Sequence, residues 1–246
     1  MKLLIDAELY LYRAASACEF EIEWAPDDWT YLCRHGDAKA NFQEAVGQMR
    51  DVFPDHQPWL VFGDRASFRY GIWPSYKANR KKYRKPAGYK QLLEWVETAA
   101  GNRGWETARL QDVEGDDVLG VLCEEGDVIA SFDKDMLTIP ALHFRDGKVL
   151  EVDRVSADLA FYAQVLSGDS ADNYPGCPGY GKVTAEKALA GCSTEVEMWG
   201  VVLSAFEKKG YNAPYAIAQA RCARILRAGE YDLDTCTPLL WEPPVA

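Results

Sequence analysis

Lys2-Leu-Leu-Ile-Asp6 is a short apolar run that stops abruptly at a carboxylate, and two later stretches repeat it: Trp59-Leu-Val-Phe-Gly-Asp64 and Asp127-Val-Ile-Ala-Ser-Phe-Asp-Lys-Asp135. Runs this short, without polar alternation, suit strands of a parallel sheet buried on both faces. Between and after them, apolar residues recur at helical spacing over 38–52, 90–100, 113–123, 157–166 and 215–226. Strands alternating with helices predict an α/β fold with a mostly parallel central sheet flanked by helices. In such sheets functional groups gather beyond the carboxyl ends of the strands, which is where all three runs end in acids. A single acid there is more often a helix N-cap; the recurrence is what points to chemistry. The stretch 19–36, with Trp24, Trp29 and several acids, reads as irregular.

The chain has 246 residues, with 27 Lys and Arg against 38 Asp and Glu, for a net charge of −11. That balance excludes a basic nucleic-acid coat and a polybasic membrane-surface protein. The content of 48% hydrophobic and 12% aromatic residues excludes a disordered acidic tail. Asp6 and Glu8 interrupt the opening segment before the apolar core of a signal peptide can form, and no run approaches the roughly 18 apolar residues of a membrane span. Seven scattered cysteines without a C-x-x-C pair read as free thiols in a reducing, cytoplasmic setting. None of His35, His56 and His143 stands at zinc-ligand spacing from a cysteine.

The acids at strand ends, helix starts and glycine turns are Asp6, Asp64, Glu114, Asp116, Asp117, Asp133, Asp135, Asp169 and Asp172. Glu114 and Asp117, three apart, share a helix face; Asp133 and Asp135, two apart, point the same way from an extended segment. Carboxylates so gathered repel by about 4 kcal/mol per pair at 4 Å and an effective dielectric of 20, so a cation must offset them. Oxygen-only ligands favour hard divalent ions, Mg²⁺ or Mn²⁺, and a pair of such ions is the usual arrangement for in-line attack on a phosphodiester.

From Arg65 to Leu93 the chain carries nine basic residues and no acid: Arg65, Arg69, Lys77, Arg80, Lys81, Lys82, Arg84, Lys85 and Lys90. Phe68, Tyr70, Trp73, Tyr76, Tyr83 and Tyr89 are interleaved with them, as on a surface that holds phosphates and stacks on bases. Further on, Gly168-Asp-Ser-Ala-Asp-Asn-Tyr-Pro-Gly176 leads through Gly179 and Gly181-Lys182 into a helix. It reads as a tight turn whose free N–H groups can hold a phosphate. It is not a P-loop, because Val183 stands where the ion-binding Ser or Thr is required. The row Arg221, Arg224, Arg227 reads first as a solvated helix face.

In this order, Asp6, Phe62-Gly-Asp64, Tyr76-Lys-Ala-Asn-Arg80, Glu114-Gly-Asp-Asp117, Asp133-Lys-Asp135 and the 168–176 turn resemble the 5′ nuclease family of bacterial and phage 5′-to-3′ exonucleases and flap endonucleases. The similarity runs from Met1 to about Ala190. The stretches at 76–81 and 114–118, with Ala223-Arg-Ile-Leu-Arg227 and Tyr231, look like those of the gene 6 exonucleases of tailed phages.

The resemblance implies a PIN-like 5′ nuclease core over 1–155, with a helical arch at about 65–95. It also implies a C-terminal helical DNA-binding region over 156–246, with a helix-three-turn-helix at about 160–190. Carried over, one divalent ion is expected near Asp6, Asp64, Glu114 and Asp116, with Asp117 beside them, and a second near Asp133, Asp135, Asp169 and Asp172. Lys77 and Arg80 match residues that contact the scissile phosphate, and Tyr76 one that stacks on the terminal base. Arg69, Lys81, Lys82, Arg84 and Lys85 in the arch would contact DNA, as would Gly176, Gly179, Gly181, Lys182, Thr184 and Lys187 in the glycine turn, where K⁺ is also expected. The implied activity is metal-dependent hydrolysis of DNA, as 5′-to-3′ exonuclease and 5′ flap endonuclease, in phage replication, primer removal or host DNA degradation. The implied partners are duplex DNA with a 5′ end, nick or flap and RNA–DNA hybrids, met by a monomer in the host cytoplasm. Departures from the family pattern are Gly115 where alanine is usual, the extra segment 19–36 and a short arch.

Three rivals use the same residues. A haloacid-dehalogenase-like phosphatase would account for Gly168-Asp-Ser-Ala-Asp172, but it needs a D-x-D nucleophile after the first strand, where Asp6-Ala-Glu8 stands. A non-catalytic DNA-binding module would suffer the acids' repulsion from phosphate for no benefit. A ribonuclease of the related PIN fold would not need the glycine turn.

Overall fold

The structure, a computed structural model, describes residues 1–80 and 84–245. Lys81, Lys82 and Tyr83 of the expected arch lie outside the described residues.

The chain begins with β1 (Lys2–Asp6) and α1 (Ala7–Cys18), then a hairpin of β2 (Glu19–Ala25) and β3 (Asp28–Cys33), then α2 (His35–Val52) and β4 (Gln57–Phe62). After these come a single turn α3 (Arg69–Ile72), α4 (Tyr89–Ala99), β5 (Glu106–Arg109), α5 (Gly115–Leu122) and β6 (Val128–Ala130). A 3-10 turn at Lys134–Thr138 precedes β7 (Ala141–Arg145) and β8 (Lys148–Val152). Four helices follow, α6 (Arg154–Ser167), α7 (Lys182–Leu189), α8 (Glu195–Lys208) and α9 (Ala213–Ala223), with a small ribbon of β9 (Tyr231–Asp232) and β10 (Thr237–Pro238) at the end.

Six strands form one sheet in the order β5-β4-β1-β6-β7-β8, parallel except for β8, which returns antiparallel to β7. The expected apolar runs are its three central strands, and successive residues divide between its faces. Leu3, Ile5, Leu60, Phe62, Val128 and Ala130 pack under α1, α2 and α4. Leu4, Val61 and Ile129 face Val118 and Leu119 of α5 together with Ile225, Leu226 and Tyr231. Burial on both faces is why these runs lack polar alternation. A third cluster unites α6 to α9 and takes in Tyr76.

From β1 the chain moves outward to β4 and β5, then returns past β1 to β6. The strand order therefore reverses between β1 and β6, and a crevice at such a switch point is where open α/β sheets bind ligands.

Three sequence expectations differ from the structure. The stretch 19–36 is not irregular: Glu19 to Cys33 form a twisted hairpin in which Glu19, Glu21 and Glu23 pair across to Cys33, Tyr31 and Trp29. It steadies the far end of the basic segment, since Arg84 pairs with both Glu19 oxygens at 2.6 and 2.7 Å and lies 3.9 Å over the Tyr31 ring. The helical arch expected at about 65–95 holds helix, among its described residues, only in α3 and the start of α4, with turns over 74–79. Finally, α9 stops at Ala223 instead of running to Leu226, and residues 224–227 leave it as a buried strap.

The turn expected at 168–181 does join α6 to α7. Gly168 and Gly176 stand at φ +66° and +65° and touch: a Cβ on Gly176 would meet the Gly168 nitrogen at 2.3 Å. Only glycine fits that approach.

Candidate active site

Asp6 ends β1, and Ser131 and Asp133 follow β6 across the switch point. Ser131 Oγ donates to Asp6 Oδ2 at 2.8 Å and accepts from the Asp133 N–H at 3.1 Å, which ties the two acids to one hydroxyl. Asp6 Oδ1 also caps α1, taking the Leu9 N–H at 3.2 Å. Asp133 Oδ1 takes the Asp135 N–H at 2.9 Å, curling the chain so that Asp135 follows it into the same region. Glu114 begins α5 with Asp116 inside its first turn. Asp64 is occupied with its own backbone: its oxygens accept from Arg65 and Asp112 N–H groups at 2.7 and 3.0 Å, which hold it below the usual carboxylate range.

The crevice carries uncompensated negative charge. Burial pushes the Asp6 carboxyl up to about 6, with Asp133 and Glu8 adding and the Ser131 and Leu9 hydrogen bonds opposing. Asp116 is pushed well above the carboxylate range by burial, then by Asp6 and Asp133, and among the described residues its carboxylate accepts no hydrogen bond. Burial and Asp133 likewise raise Asp135. Glu114 goes the other way: burial would raise it, but Arg69 and Lys77 outweigh burial and hold it low.

The cations come from the 73–80 segment, which is stitched onto the glycine turn. The Lys77 N–H donates to the Asp172 carbonyl at 2.8 Å, Trp73 Nε1 to the Asn173 carbonyl at 3.0 Å, Asn79 to the Ser170 carbonyl at 2.6 Å and Asn173 to the Ser75 carbonyl at 2.6 Å. Lys77 adopts φ +54°, a conformation rarely held by a side-chain-bearing residue and usually kept only where the surroundings impose it. Its ammonium pairs with Glu114 and lies 3.8 Å from Asp172, which also pairs with Arg80. Tyr76 Oη stands 2.9 Å from a Glu114 oxygen and 2.8 Å from an Asp172 oxygen, and its single proton can go to either carboxylate.

The donor set suits hard divalent ions, being oxygen-only and short of positive charge. Among the described residues no three acids stand close enough to enclose an ion in this conformation, and two of them, Glu114 and Asp172, pair with Lys77 and Arg80. Asp169 caps its own turn, accepting the Ala171 and Asp172 N–H groups at 2.6 and 3.2 Å.

Some expected site residues stand elsewhere. Tyr76 is 2% exposed, so its ring is core and only its hydroxyl reaches the acids; it cannot stack on a base in this conformation. Asp117 is fully buried and Arg69 is 3% exposed, so neither the ion nor the DNA expected of them can reach them. They hold each other by two bonds of 2.7 Å, and Asp117 closes the α5 capping box through the Glu114 N–H at 3.0 Å. Arg84 is engaged by Glu19, and the Lys85 ammonium sits 4.2 Å over the Tyr89 ring. Gly179, Gly181, Lys182, Thr184 and Lys187 are exposed along the glycine turn and the start of α7. Gly176 is buried and gives its N–H to Gln219 at 2.9 Å.

The residues that sequence reading missed are Ser131, Glu8 and the strap arginines. Glu8 ties Gly63 to Tyr89 at 3.3 and 3.2 Å. Ser131 was the one legible omission, standing inside the third apolar run beside Asp133.

Two expected outcomes follow. Asp117→Ala leaves the Arg69 guanidinium buried and unpaired, so chemical denaturation should report a loss of about 3–5 kcal/mol. The second concerns pH. Asp6 holds its proton to about pH 6, against a usual value of 3.8. An acid whose folded value is raised penalises the fold once pH climbs past its unfolded value, and the penalty is complete above its folded value. In EDTA the melting temperature should therefore fall between about pH 4 and 6, from the usual value to the raised one, and saturating Mg²⁺ should abolish the fall.

Residues 1–157 match the family described as 5′-3′ exonuclease, N-terminal resolvase-like domain. Over 98% of its length the chain is 29% identical to an exodeoxyribonuclease of Enterobacteria phage T3, covering 92% of that protein. It is 28% identical, again over 98% of its length, to an exonuclease of Escherichia phage T7, covering 93% of it. In fold it resembles the T5 5′-exonuclease solved with zinc ions, at a TM-score of 0.61 and 13% identity over 90% of this chain and 93% of that one. It also resembles the catalytic core of Rad2 in complex with DNA, at 0.55 and 14% over 99% and 83%. With the carboxylate crevice at the switch point and the family match over the whole sheet, the chain belongs to the 5′-3′ exonuclease family.

Proposed function

We propose that the protein hydrolyses phosphodiesters near the 5′ end of duplex DNA, at ends, nicks and flaps, leaving a 3′-hydroxyl and a 5′-phosphate. The observation that carries this is the set of mutually repelling carboxylates, Asp6, Asp116, Asp133 and Asp135, together with Lys77 and Arg80 paired to Glu114 and Asp172. Two divalent ions, Mg²⁺ or Mn²⁺, when bound would activate water and neutralise charge at the leaving oxygen. Asp6, Asp64, Glu114 and Asp116 would hold one, and Asp133, Asp135, Asp169 and Asp172 the other.

Lys77 and Arg80 now neutralise Glu114 and Asp172. Released from those acids, their ammonium and guanidinium would bind the scissile phosphate and offset its growing charge. Tyr76 keeps Glu114 and Asp172 in register through its hydroxyl. The exposed Gly179, Gly181, Lys182, Thr184 and Lys187 would hold the backbone of the duplex, and the glycine turn would also hold a K⁺ that supplies positive charge there. RNA in RNA–DNA hybrids would be cut by the same chemistry, which needs no 2′-substituent.

The test is digestion of end-labelled blunt, nicked and flap duplexes with Mg²⁺ or with EDTA, followed by sizing of products. Short 5′-phosphorylated products that vanish in EDTA are expected. Release of inorganic phosphate alone, or cleavage that persists in EDTA, overturns the reading.

A further inference from the structure

Residues 224–227, which leave α9, touch both acid-bearing segments of the crevice within four residues. On one side, the Leu226 N–H donates to Asp117 Oδ1 at 3.0 Å, and the Arg224 carbonyl accepts from Arg69 Nη2 at 2.5 Å. Arg69 in turn holds Asp117 and reaches Glu114 at 3.2 Å. The contact is close: a Cβ on Gly120 of α5 would stand 2.1 Å from the Leu226 oxygen. On the other side, Arg227 donates to the Thr138 carbonyl from Nε and Nη2 at 3.1 and 2.6 Å, and to Asp158 Oδ1 at 2.6 Å. Thr138 Oγ1 then donates to the Asp135 carbonyl at 2.8 Å. Arg69, Asp117, Thr138, Asp158 and Arg227 are all buried.

Buried ion pairs are a poor way to stabilise a core, because desolvation consumes most of what the attraction returns. What they add over apolar packing is direction: a guanidinium fork fixes both distance and angle to its acceptors. Here two such forks are connected by four residues of backbone, and their far ends lie on the Glu114–Asp117 turn and the Asp133–Thr138 turn.

We propose that the 224–227 strap is a strut that sets the spacing between the two carboxylate sets, and that Arg227 is a positioning residue for the Asp133–Asp135 ion position. The proposal rests on the two-ion reading given above. Groups that orient metal ligands without touching the metal typically contribute 10- to 100-fold in metal affinity, so an effect of roughly 10-fold on one of two ion classes is expected.

The experiment is Mn²⁺ titration of the DNA-free protein, followed by electron paramagnetic resonance of free Mn²⁺, beside melting curves and the Mn²⁺ dependence of cleavage. The variants are Arg227→Lys, which keeps a charge for Asp158 but loses the fork on Thr138, and Thr138→Val, which leaves the Arg227–Asp158 pair intact. Both should weaken one Mn²⁺ class roughly 10-fold and leave the other unchanged, with cleavage recovering at high Mn²⁺. A general structural defect would lower melting without that selective shift, so unchanged Mn²⁺ binding in Thr138→Val overturns the strut, even if Arg227→Lys fails to fold. The double change Asp133→Asn with Asp135→Asn is the control. Binding unchanged there overturns the two-ion reading itself, whereas binding lost there but unchanged in Thr138→Val overturns the strut alone.

Discussion

Changing Asp133 and Asp135 together to asparagine is expected to abolish cleavage of 5′-ended duplex DNA while leaving DNA binding measurable by gel shift in EDTA. The loss should exceed the roughly 10- to 100-fold typical of residues that only support a metal ligand, because these two carboxylates are half of the proposed second ion position. Asparagine keeps the size and the acceptor oxygen, so the Asp135 N–H bond to residue 133 and the 3-10 turn at Lys134–Thr138 can persist. Removing two charges should also relieve Asp6 and Asp116, whose carboxyls Asp133 helps to push up, so the ion-free variant should melt higher than the parent at pH 7. Cleavage at the parental rate would sink the assignment of these residues.

Lys77→Ala should lower the single-turnover rate by about 10²–10³-fold, the usual effect of removing one pre-placed group that stabilises charge in the transition state. The structure adds a second expectation. Lys77 pairs with Glu114 in the ion-free protein, so its removal frees a carboxylate that the ion would otherwise have to win. The Mg²⁺ concentration giving half-maximal rate should therefore stay level or fall even as the maximal rate collapses. A rise in that concentration with the maximal rate intact would make Lys77 a support for the ion and not a partner of the phosphate.

The sheet and its acids were readable from the sequence because each central strand is a short apolar run with a carboxylate at its end, and the parallel topology gives that ending a location. The glycine turn was readable for a similar reason, since Gly168 and Gly176 are demanded by a backbone contact that no other residue permits. The resemblance set Asp117 beside the ligands and Asp116 among them, but spacing alone does not give the reason. Adjacent residues at a helix start face different ways, and which one turns inward depends on the partner in the folded molecule. That partner, Arg69, lies 48 residues away in sequence and stands in the row of arch cations, where it looked like a DNA contact. Its other acceptors, the carbonyls of Cys222 and Arg224, are more than 150 residues distant. The same long-range burial hid Tyr76 and the strap arginines.

The hairpin at 19–33 carried a usable signal. Glu19, Glu21 and Glu23 alternate with Phe20, Ile22 and Trp24, and Pro26-Asp27-Asp28 marks the turn, a period of two that indicates a strand. The second strand does not repeat the alternation: Glu19, Glu21 and Glu23 share a face with Cys33, Tyr31 and Trp29, and Ile22 pairs with Thr30, so neither face of the hairpin is wholly polar or wholly apolar.

The claim that the carboxylates at the β1–β6 switch point hold a pair of divalent ions is tested most directly by anomalous diffraction from crystals grown with Mn²⁺. Two peaks about 3.5–4 Å apart are expected, one against Asp6, Asp64, Glu114 and Asp116 and the other against Asp133, Asp135, Asp169 and Asp172, with Lys77 and Arg80 released from their acids. A crevice without Mn²⁺, with Lys77 still on Glu114 and Arg80 still on Asp172, would contradict it.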